Sequence, residues 1–307
     1  MRPRGGIIGA TVQPGASAFN SAAGGIWTLR EAEAFKRAGT WPRLLQAPTD
    51  LSGLQLWLDA SDASTLFDAT TGGSLVAADG GVARWEDKSG NGRHATQSNA
   101  SYRPLKKTSV VNGLAVVRFD GSNDYMRTGA IAALDTITTT QFVVSRHPSV
   151  PPSANGVIFR NRYSTVIGGN PALNRQFSGA FLETPNSGRL LWHSRSSAGT
   201  LIAPDAASRA QPTANVACVL TGQSDSSGNV TNYFNANAAI TSTGSAGTPN
   251  GHETTYIGCT NSNDDADFSP IAFLNGDVCE LIIYSASLSS AERSAVIAYL
   301  MSKWGIS

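Results

Sequence analysis

The chain has 307 residues, of which 15% are charged and 41% hydrophobic, and its formal net charge is +1. Soluble proteins average about 25% charged residues, and here small and polar residues take their place. A chain of this length can bury a large core without disulfide staples. Recurrent apolar runs argue against disorder, and an excess of four positive charges over residues 1–49 is only weak evidence for a nucleic-acid partner, which we do not predict.

The first 25 residues form a Gly-, Ala- and Ser-rich arm without hydrophobic periodicity, and a short helix is predicted after it, over residues 29–38. Thr28 and Glu31 have the spacing of a capping box, in which each side chain accepts from the other residue's backbone amide. Gly39 is the residue type that ends helices in a left-handed conformation. These signals define a helix of about three turns, a length that is marginal in isolation.

This helix is expected to dock on another surface. One of its sides is apolar, and residues 1–49 carry six basic and two acidic side chains, a net charge of +4. A short amphipathic helix needs such a surface to be stable. A Pro-containing linker then separates an attachment segment, residues 1–50, from a domain predicted over 51–307. The residues predicted to make the attachment are Trp27, Leu29, Phe35 and Trp41.

Short apolar or alternating runs, bounded by turn-forming residues, predict β-strands from residue 54 onwards. The predicted segments are 54–60, 114–119, 141–145, 156–160, 189–194, 215–220, 254–259 and 277–284. A final helix is predicted to begin at a second capping box, Ser289 and Glu292, and to bury Val296, Leu300 and Trp304. Many short strands closed by one helix favour a β-sandwich.

The three cysteines, Cys218, Cys259 and Cys279, form no C-x-x-C pair, so we expect reduced, packed thiols rather than a disulfide framework or a zinc site. No apolar run approaches the ~20 residues of a membrane helix. The first 15 residues lack the apolar core of a signal peptide. These features predict a protein that is assembled in a cytoplasm, without a membrane partner.

Four segments in a fixed order resemble a known family. They are LWLDASDASTLF (56–67), VARWEDKSGNGRHATQ (82–97), GLAVVRFDGSNDYM (113–126) and the end of the chain from 276 to 306. They resemble laminin-G-like, concanavalin-A-like jelly-roll modules of bacterial surface proteins and tailed-phage virion proteins. The resemblance implies an all-β fold, a jelly-roll sandwich of two antiparallel sheets with a short N-terminal helix and a C-terminal helix. The N-terminal helix also resembles attachment segments of phage structural proteins.

Acidic turns are candidate calcium sites, because Ca²⁺ takes six to eight oxygen ligands. In DGSND the candidates are Asp120, Asn123 and Asp124, and in the densest acidic patch they are Asp264, Asp265 and Asp267. Asp and Asn side chains also hydrogen-bond their own turn backbone, and that structural role is favoured at the first site. A solvated loop is favoured at the second. Asp87 and Asn91 pose the same alternatives, and no other cofactor is predicted.

The sequence specifies no catalytic site. Glycosidases of this fold use two carboxylates, and the E-x-D-x-E spacing typical of them is missing; Glu280 is predicted to be a hydrogen-bonded structural acid. Carbohydrate binding needs exposed aromatic rings beside polar groups. Tyr163, beside Arg160 and Arg162, and the pair Trp192 and His193 are the candidates, although ordinary strand packing is the competing explanation for each. Trp57 and Trp85 are predicted to lie in the core.

These features predict a non-enzymatic virion protein of a tailed phage, assembled in the host cytoplasm. Its N-terminal segment is expected to bind other virion proteins, and its jelly-roll domain to bind host surface polysaccharide. Multi-copy assembly favours a homo-oligomer. A decoration or scaffold protein without a receptor is the alternative, and a polysaccharide depolymerase is the second.

Overall fold

The computed structural model describes residues 29–38, 45–150, 156–166, 175–182, 190–195, 201–202, 211–245, 249, 251–261 and 270–307. Its helices are α1 (Leu29–Arg37) and α2 (Ser290–Trp304). Its strands are β1 (Leu54–Asp59), β2 (Leu66–Phe67), β3 (Arg84–Trp85), β4 (Ala95–Thr96), β5 (Leu105–Val111), β6 (Leu114–Asp120), β7 (Met126–Arg127), β8 (Thr139–Arg146), β9 (Gly156–Val166), β10 (Arg175–Leu182), β11 (Leu190–Arg195), β12 (Leu201–Ile202), β13 (Ala217–Ser224), β14 (Asn229–Phe234), β15 (Ile240–Ser245), β16 (His252–Ile257), β17 (Thr260–Asn261), β18 (Pro270–Ile271) and β19 (Asn275–Tyr284).

The strands form two large antiparallel sheets, which confirms the predicted fold class. One is eight-stranded, in the order β15-β14-β13-β8-β19-β6-β5, with β1 also paired to β19. The other is nine-stranded, in the order β12-β11-β10-β9-β16-β7-β4-β3-β2, and β17 pairs with β18 separately. Each of the eight strand segments predicted from the sequence overlaps an observed strand. The described part of the chain contains no helix that could cross a membrane.

The main core fills the space between the two sheets. Trp85, Met126, Phe159 and Ile257 enter it from the nine-stranded sheet, and Leu281 enters it from β19 of the other sheet. All five side chains are at most 1% exposed. Burial of Trp85 confirms the prediction that it is a core residue.

A second core covers the opposite face of the eight-stranded sheet. Helix α2 packs Val296, Leu300 and Trp304 against this face, as predicted from their spacing, and Phe142 and Tyr284 meet them from the strands. The predicted capping box is present at the start of α2, where Ser289 accepts from the Glu292 amide. The eight-stranded sheet is therefore buried on both of its faces.

A buried polar cluster holds the end of α2 to the sheet. The indole nitrogens of Trp57 and Trp304 each donate to Glu280 over 2.7 Å, and Lys303 Nζ lies 2.7 Å from both Glu280 and Asp59. Burial raises the pKa of Glu280 above its ordinary value. Glu280 is thus the hydrogen-bonded structural acid that the sequence predicts, and Trp57, at 7% exposed, is a core residue.

The segment before the first strand packs on the sandwich, since Leu45 and Leu51 are buried and the Tyr284 hydroxyl donates to the carbonyl of Pro48 over 2.8 Å. Helix α1 differs, because none of its residues is buried. Leu29 is 77% exposed, and Phe35 is half-buried. The other predicted attachment residues, Trp27 and Trp41, and the first capping residue, Thr28, lie outside the described residues.

Candidate functional site on the nine-stranded sheet

The outer face of the nine-stranded sheet carries a continuous row of polar and aromatic positions. Directly paired residues of an antiparallel sheet share one face, so the strand register defines the row. Its members, from β2 to β11, are Phe67, Arg84, Thr96, Arg127, Tyr256, Arg160, Gly179 and His193. We call this set the outer row.

The neighbouring register faces the core. Leu66, Trp85 and Ala95 pair across β2 to β4, and Met126, Ile257, Phe159 and Ala180 pair across β7 to β10. All of them belong to the main core. Because side chains alternate along a strand, the outer row faces away from that core.

A pocket of about 430 Å³ lies at the centre of the outer row. It is lined by Thr96, Arg127, Thr128, Gly129, Arg162, Glu253, Thr254 and Tyr256. These residues come from β4, β7, β9 and β16 and from the residues that follow β7. Guanidinium, carboxylate, phenol and hydroxyl groups therefore line one pocket, a composition that suits a polar ligand.

The charges of the pocket are ordered by a few contacts. Arg162 Nη1 lies 3.2 Å from Glu253 Oε2, and the Arg162 side chain is 10% exposed. Burial raises the pKa of Tyr256 above its ordinary value, while a hydrogen bond from Arg162 and the charge of Arg127 act to lower it. Tyr256 is 2% exposed, so it offers no open ring face to a ligand.

An aromatic pair lies directly before β7. The ring centroids of Tyr102 and Tyr125 are 5.9 Å apart at an interplanar angle of 35°, and the Tyr125 amide donates to the carbonyl of Tyr102 over 3.1 Å. Tyr102 is 37% exposed. Tyr125 precedes Arg127 by two residues and the buried Met126 lies between them, so Tyr125 and Arg127 belong to one side of the chain. Tyr125 therefore lies two residues before Arg127, one of the residues that line the pocket.

The structure corrects one predicted glycan-binding residue and places two others by register. Tyr163 is 1% exposed and packs edge-on against His252, with ring centroids 5.3 Å apart, so it cannot offer a ring to a sugar. Trp192 pairs with Ala180, a member of the inward-facing register, and His193 pairs with Gly179 of the outer row. The side chains of Trp192 and His193 lie outside the described part of the structure.

The candidate calcium ligands in the first turn are engaged with its backbone. Asp120 Oδ1 accepts from the amides of Ser122, Asn123 and Asp124, and Asp124 Oδ2 accepts from the Asp120 amide over 3.1 Å. Burial, and then the charge of Asp120, raises the pKa of Asp124 to about 6. These contacts match the turn-stabilising alternative for Asp120 and Asp124, and Asn123 takes part through its backbone amide.

The other candidate calcium ligands lie in two places, one of which the structure describes. Asp87 accepts from the amides of Trp57, Ser89 and Arg93, and the Asn91 amide donates to carbonyls of β1. This is the loop-stabilising role expected for both. Asp264, Asp265 and Asp267 lie outside the described residues. Within the described ranges, no group of three or more His, Cys, Asp or Glu side chains could hold a metal ion.

The cysteines are free and buried, as predicted. Burial raises the pKa of the Cys218 thiol to about 12 and raises that of Cys279 well above its ordinary value. A thiol needs a lowered pKa to act as a nucleophile. Cys218 and Cys279 are therefore packing residues.

Sequence reasoning missed the pocket and the tyrosine pair. Arg127 and Tyr256 face each other across paired strands although they lie in distant parts of the chain. Tyr125 lies in the motif DGSNDYM, but the predicted functional residues of this motif were its candidate calcium ligands and not the tyrosine. Because side chains alternate along a strand, Tyr163 must lie on the opposite face from Arg160 and Arg162. This alternation could have excluded Tyr163 from the predicted glycan-binding residues.

Comparison with known proteins supports the fold. No family model matches the chain, and no curated protein does. The chain is similar to domain 4 of AbnA, a GH43 extracellular arabinanase from Geobacillus stearothermophilus, solved in complex with arabinotriose; the identity is 12%, the TM-score is 0.54, and the match covers 80% of this chain and 98% of that domain. This match shows a shared two-sheet fold.

Two further solved structures have TM-scores of 0.48 and are too distant to carry an argument. One is Trypanosoma rangeli sialidase in complex with the inhibitor DANA, at 11% identity, where the match covers 83% of this chain and 35% of that one. The other is the binding domain of botulinum neurotoxin DC in complex with SialylT, at 10% identity, with 81% and 52% covered.

Proposed function

We propose that this protein is a non-enzymatic glycan-binding protein of a tailed-phage virion, and that it binds host surface polysaccharide on the outer face of its nine-stranded sheet. The observations that carry this proposal are the polar pocket and the Tyr102–Tyr125 pair, of which Tyr125 lies two residues before the pocket residue Arg127. Sugars present apolar ring faces to aromatic side chains and hydroxyls to polar ones, and this surface supplies both within one strand repeat.

Binding is favoured over hydrolysis by the acids that the pocket contains. Glycosidases generally place two carboxylates about the scissile bond. Among the described residues that line the pocket, one has a carboxylate side chain: Glu253, which forms an ion pair with Arg162. An arabinose oligosaccharide bound to the structural neighbour, AbnA domain 4, lends further support to a saccharide ligand.

The virion assignment is supported by the resemblance of the chain to phage modules and by helix α1. Leu29 is an apolar side chain, 77% exposed, on a helix that buries none of its residues in the described structure. A helix of this length requires a receiving surface. Other virion proteins are the partners we propose for it, and homo-oligomeric assembly would place several glycan sites on one particle.

Glycan binding is tested with the full chain on a glycan array and on host envelope fractions. Tyr102→Ala should weaken binding roughly five- to ten-fold, since an aromatic contact contributes about 1 kcal/mol. Val216→Ala is the matched control, because Val216 is an exposed apolar residue of the eight-stranded sheet region. Absence of binding to every glycan and envelope fraction would exclude this function and favour a decoration protein. Release of reducing sugar from host polysaccharide would instead support a depolymerase.

Attachment is tested separately, by incorporation into particles. Leu29→Asp places a charge on the exposed apolar side of α1 and should strongly reduce incorporation without changing the melting temperature. Lys36→Ala, at an exposed position of the same helix, is the control. Normal incorporation of Leu29→Asp would refute the attachment role of α1.

A further inference from the structure

A second pocket lies on the other side of the sandwich, where helix α2 covers the eight-stranded sheet. It opens between α2 and the loop that joins β14 to β15, and its volume is about 470 Å³, a size typical of small-molecule sites. The loop contributes residues 236–239, three of which are alanines, and the helix contributes Ile297, Ala298 and Met301. Most of the wall is therefore apolar. We call this site the α2 pocket.

The loop wall of the α2 pocket is anchored by its own hydrogen bonds. The Oδ1 atom of Asn235 accepts from the Val219 amide over 2.8 Å, and the Asn235 amide donates to the Val219 carbonyl over the same distance. The Asn237 amide donates to the Phe234 carbonyl over 3.0 Å. Asn235 has a φ of 51°, in the left-handed region that asparagine tolerates. The pocket is therefore formed before a ligand arrives, which lowers the entropic cost of binding.

Arg293 is the charged residue among those that line the α2 pocket. Its Nη1 atom donates to Gln223 Oε1 over 2.6 Å, and its guanidinium carbon lies 4.1 Å from the centroid of the Tyr233 ring. Both of these partners are uncharged. In the part of the chain that the structure describes, no carboxylate pairs with Arg293, and the neighbouring Glu292 accepts from the amide and hydroxyl of Ser289 instead. A half-buried cation beside an apolar wall is thus left for an anionic ligand to neutralise.

We propose that the α2 pocket binds small monocarboxylic acids that have an apolar body. The carboxylate pairs with Arg293, and the apolar body packs on Ile297, Met301 and the alanines of the loop. Guanidinium groups bind carboxylates through charge-assisted, often bidentate hydrogen bonds. The stacking contact with Tyr233 holds the guanidinium in place for this pairing. The site is separate from the outer row, so it does not depend on the proposed glycan binding.

The composition of the α2 pocket argues against two other ligand classes. A sugar presents hydroxyl groups around its ring, and a mostly apolar wall would leave many of them without partners. An extended peptide needs free backbone groups to pair with, but the amides of Asn235 and Asn237 are already bonded within the protein. A compact acid needs one cation and an apolar wall, and the pocket supplies both.

The test compares ligands that have the same shape and differ in charge. The full chain is titrated with hexanoate, phenylacetate and naphthylacetate, and each acid is compared with its uncharged amide. Calorimetry measures the affinity, and shifts of the Ala238 and Ala239 amides in NMR spectra locate the site. We expect at least one acid to bind about ten-fold more tightly than its amide, because only the acid can form a charge-assisted pair with Arg293.

Two variants separate the charge of the pocket from its space. Arg293→Gln should weaken binding of the acid about ten-fold and leave binding of the amide nearly unchanged. Lys107→Gln is the matched control, since it removes the same charge from β5, where Lys107 pairs with the exposed Asp79. Ala298→Phe fills the pocket from an exposed position of α2 and should abolish binding of both ligands. An unchanged melting temperature shows that each variant folds.

Three results would overturn the inference. One is equal affinity for every acid and its amide, and another is an equal effect of Arg293→Gln and Lys107→Gln. The third is tighter binding of the tripeptide glycyl-glycyl-phenylalanine than of phenylacetate, because the occupant would then be the C-terminus of a partner chain. None of these results depends on whether the outer row binds glycans, so each proposal can fail alone.

Discussion

The outer faces of the two sheets differ in composition, since one is apolar and the other is mostly polar. The eight-stranded sheet is covered by α2, and its outward side chains, such as Phe142 and Ile282, are fully buried. The nine-stranded sheet instead presents the outer row. Its neighbouring strands β7, β16 and β9 contribute Arg127, Tyr256 and Arg160 to this row. A sheet needs apolar side chains on each face that another layer covers. The apolar face that α2 covers thus stabilises the fold, and the polar face of the other sheet is where we place the candidate site.

Trp304→Ala tests the covered face and should have the largest effect. Trp304 is 1% exposed and its indole nitrogen donates to the buried Glu280. Removing a buried aromatic side chain typically lowers the free energy of unfolding by about 3–5 kcal/mol, and Glu280 would also lose a donor. Urea denaturation measures the loss. A decrease below about 1 kcal/mol would contradict the assignment of α2 as a stabilising layer.

Acid should weaken both regions through one buried histidine in each. Burial lowers the pKa of His147, at the end of β8, and that of His252, in β16, to about 4 in the folded protein. The unfolded chain binds these protons near pH 6.5. Stability is therefore retained above about pH 6.5 and lost as the pH falls towards 4, by up to about 3 kcal/mol for each histidine.

Replacing each histidine in turn separates the two contributions. In the nine-stranded sheet, His252 Nδ1 accepts from the Ile131 amide over 2.9 Å, so a proton on that nitrogen would remove the acceptor. His252→Gln and His147→Gln should each reduce the difference between the free energies of unfolding at pH 7 and pH 4.5. An unchanged difference in both variants would show that other groups cause the acid sensitivity.

The contrast between the faces also explains what the sequence could predict. Runs such as 277–284 are apolar enough to identify strands, and the period of Val296, Leu300 and Trp304 correctly predicts the face of α2 that is buried. The outer row could not be predicted, because it depends on which strands pair. Strands of two residues, such as β4 and β7, are too short for a pattern, and yet they contribute Thr96 and Arg127 to the pocket.

A smaller change is expected at the start of α2. Ser289 accepts from the Glu292 amide, and Glu292 accepts from the Ser289 amide over 2.9 Å. Ser289→Ala removes the side-chain cap and should lower the free energy of unfolding by about 1 kcal/mol. Arg293→Ala would test a different contact, its stacking on Tyr233 at 4.1 Å, so it is not a substitute. A loss as large as that of Trp304→Ala would indicate that the cap also orders the sheet beneath it.

Arg127→Gln should have the smallest effect on stability, within about 0.5 kcal/mol of the original protein, because surface substitutions outside special features rarely exceed this. Arg127 is exposed and lies on the nine-stranded sheet, whereas α2 packs on the other sheet. Stability would then depend mainly on the covered face of the eight-stranded sheet, since Trp304→Ala lowers the free energy of unfolding far more than Arg127→Gln does. A large loss of stability in Arg127→Gln, measured by urea denaturation, would mean that the outer row is held together as a structural network.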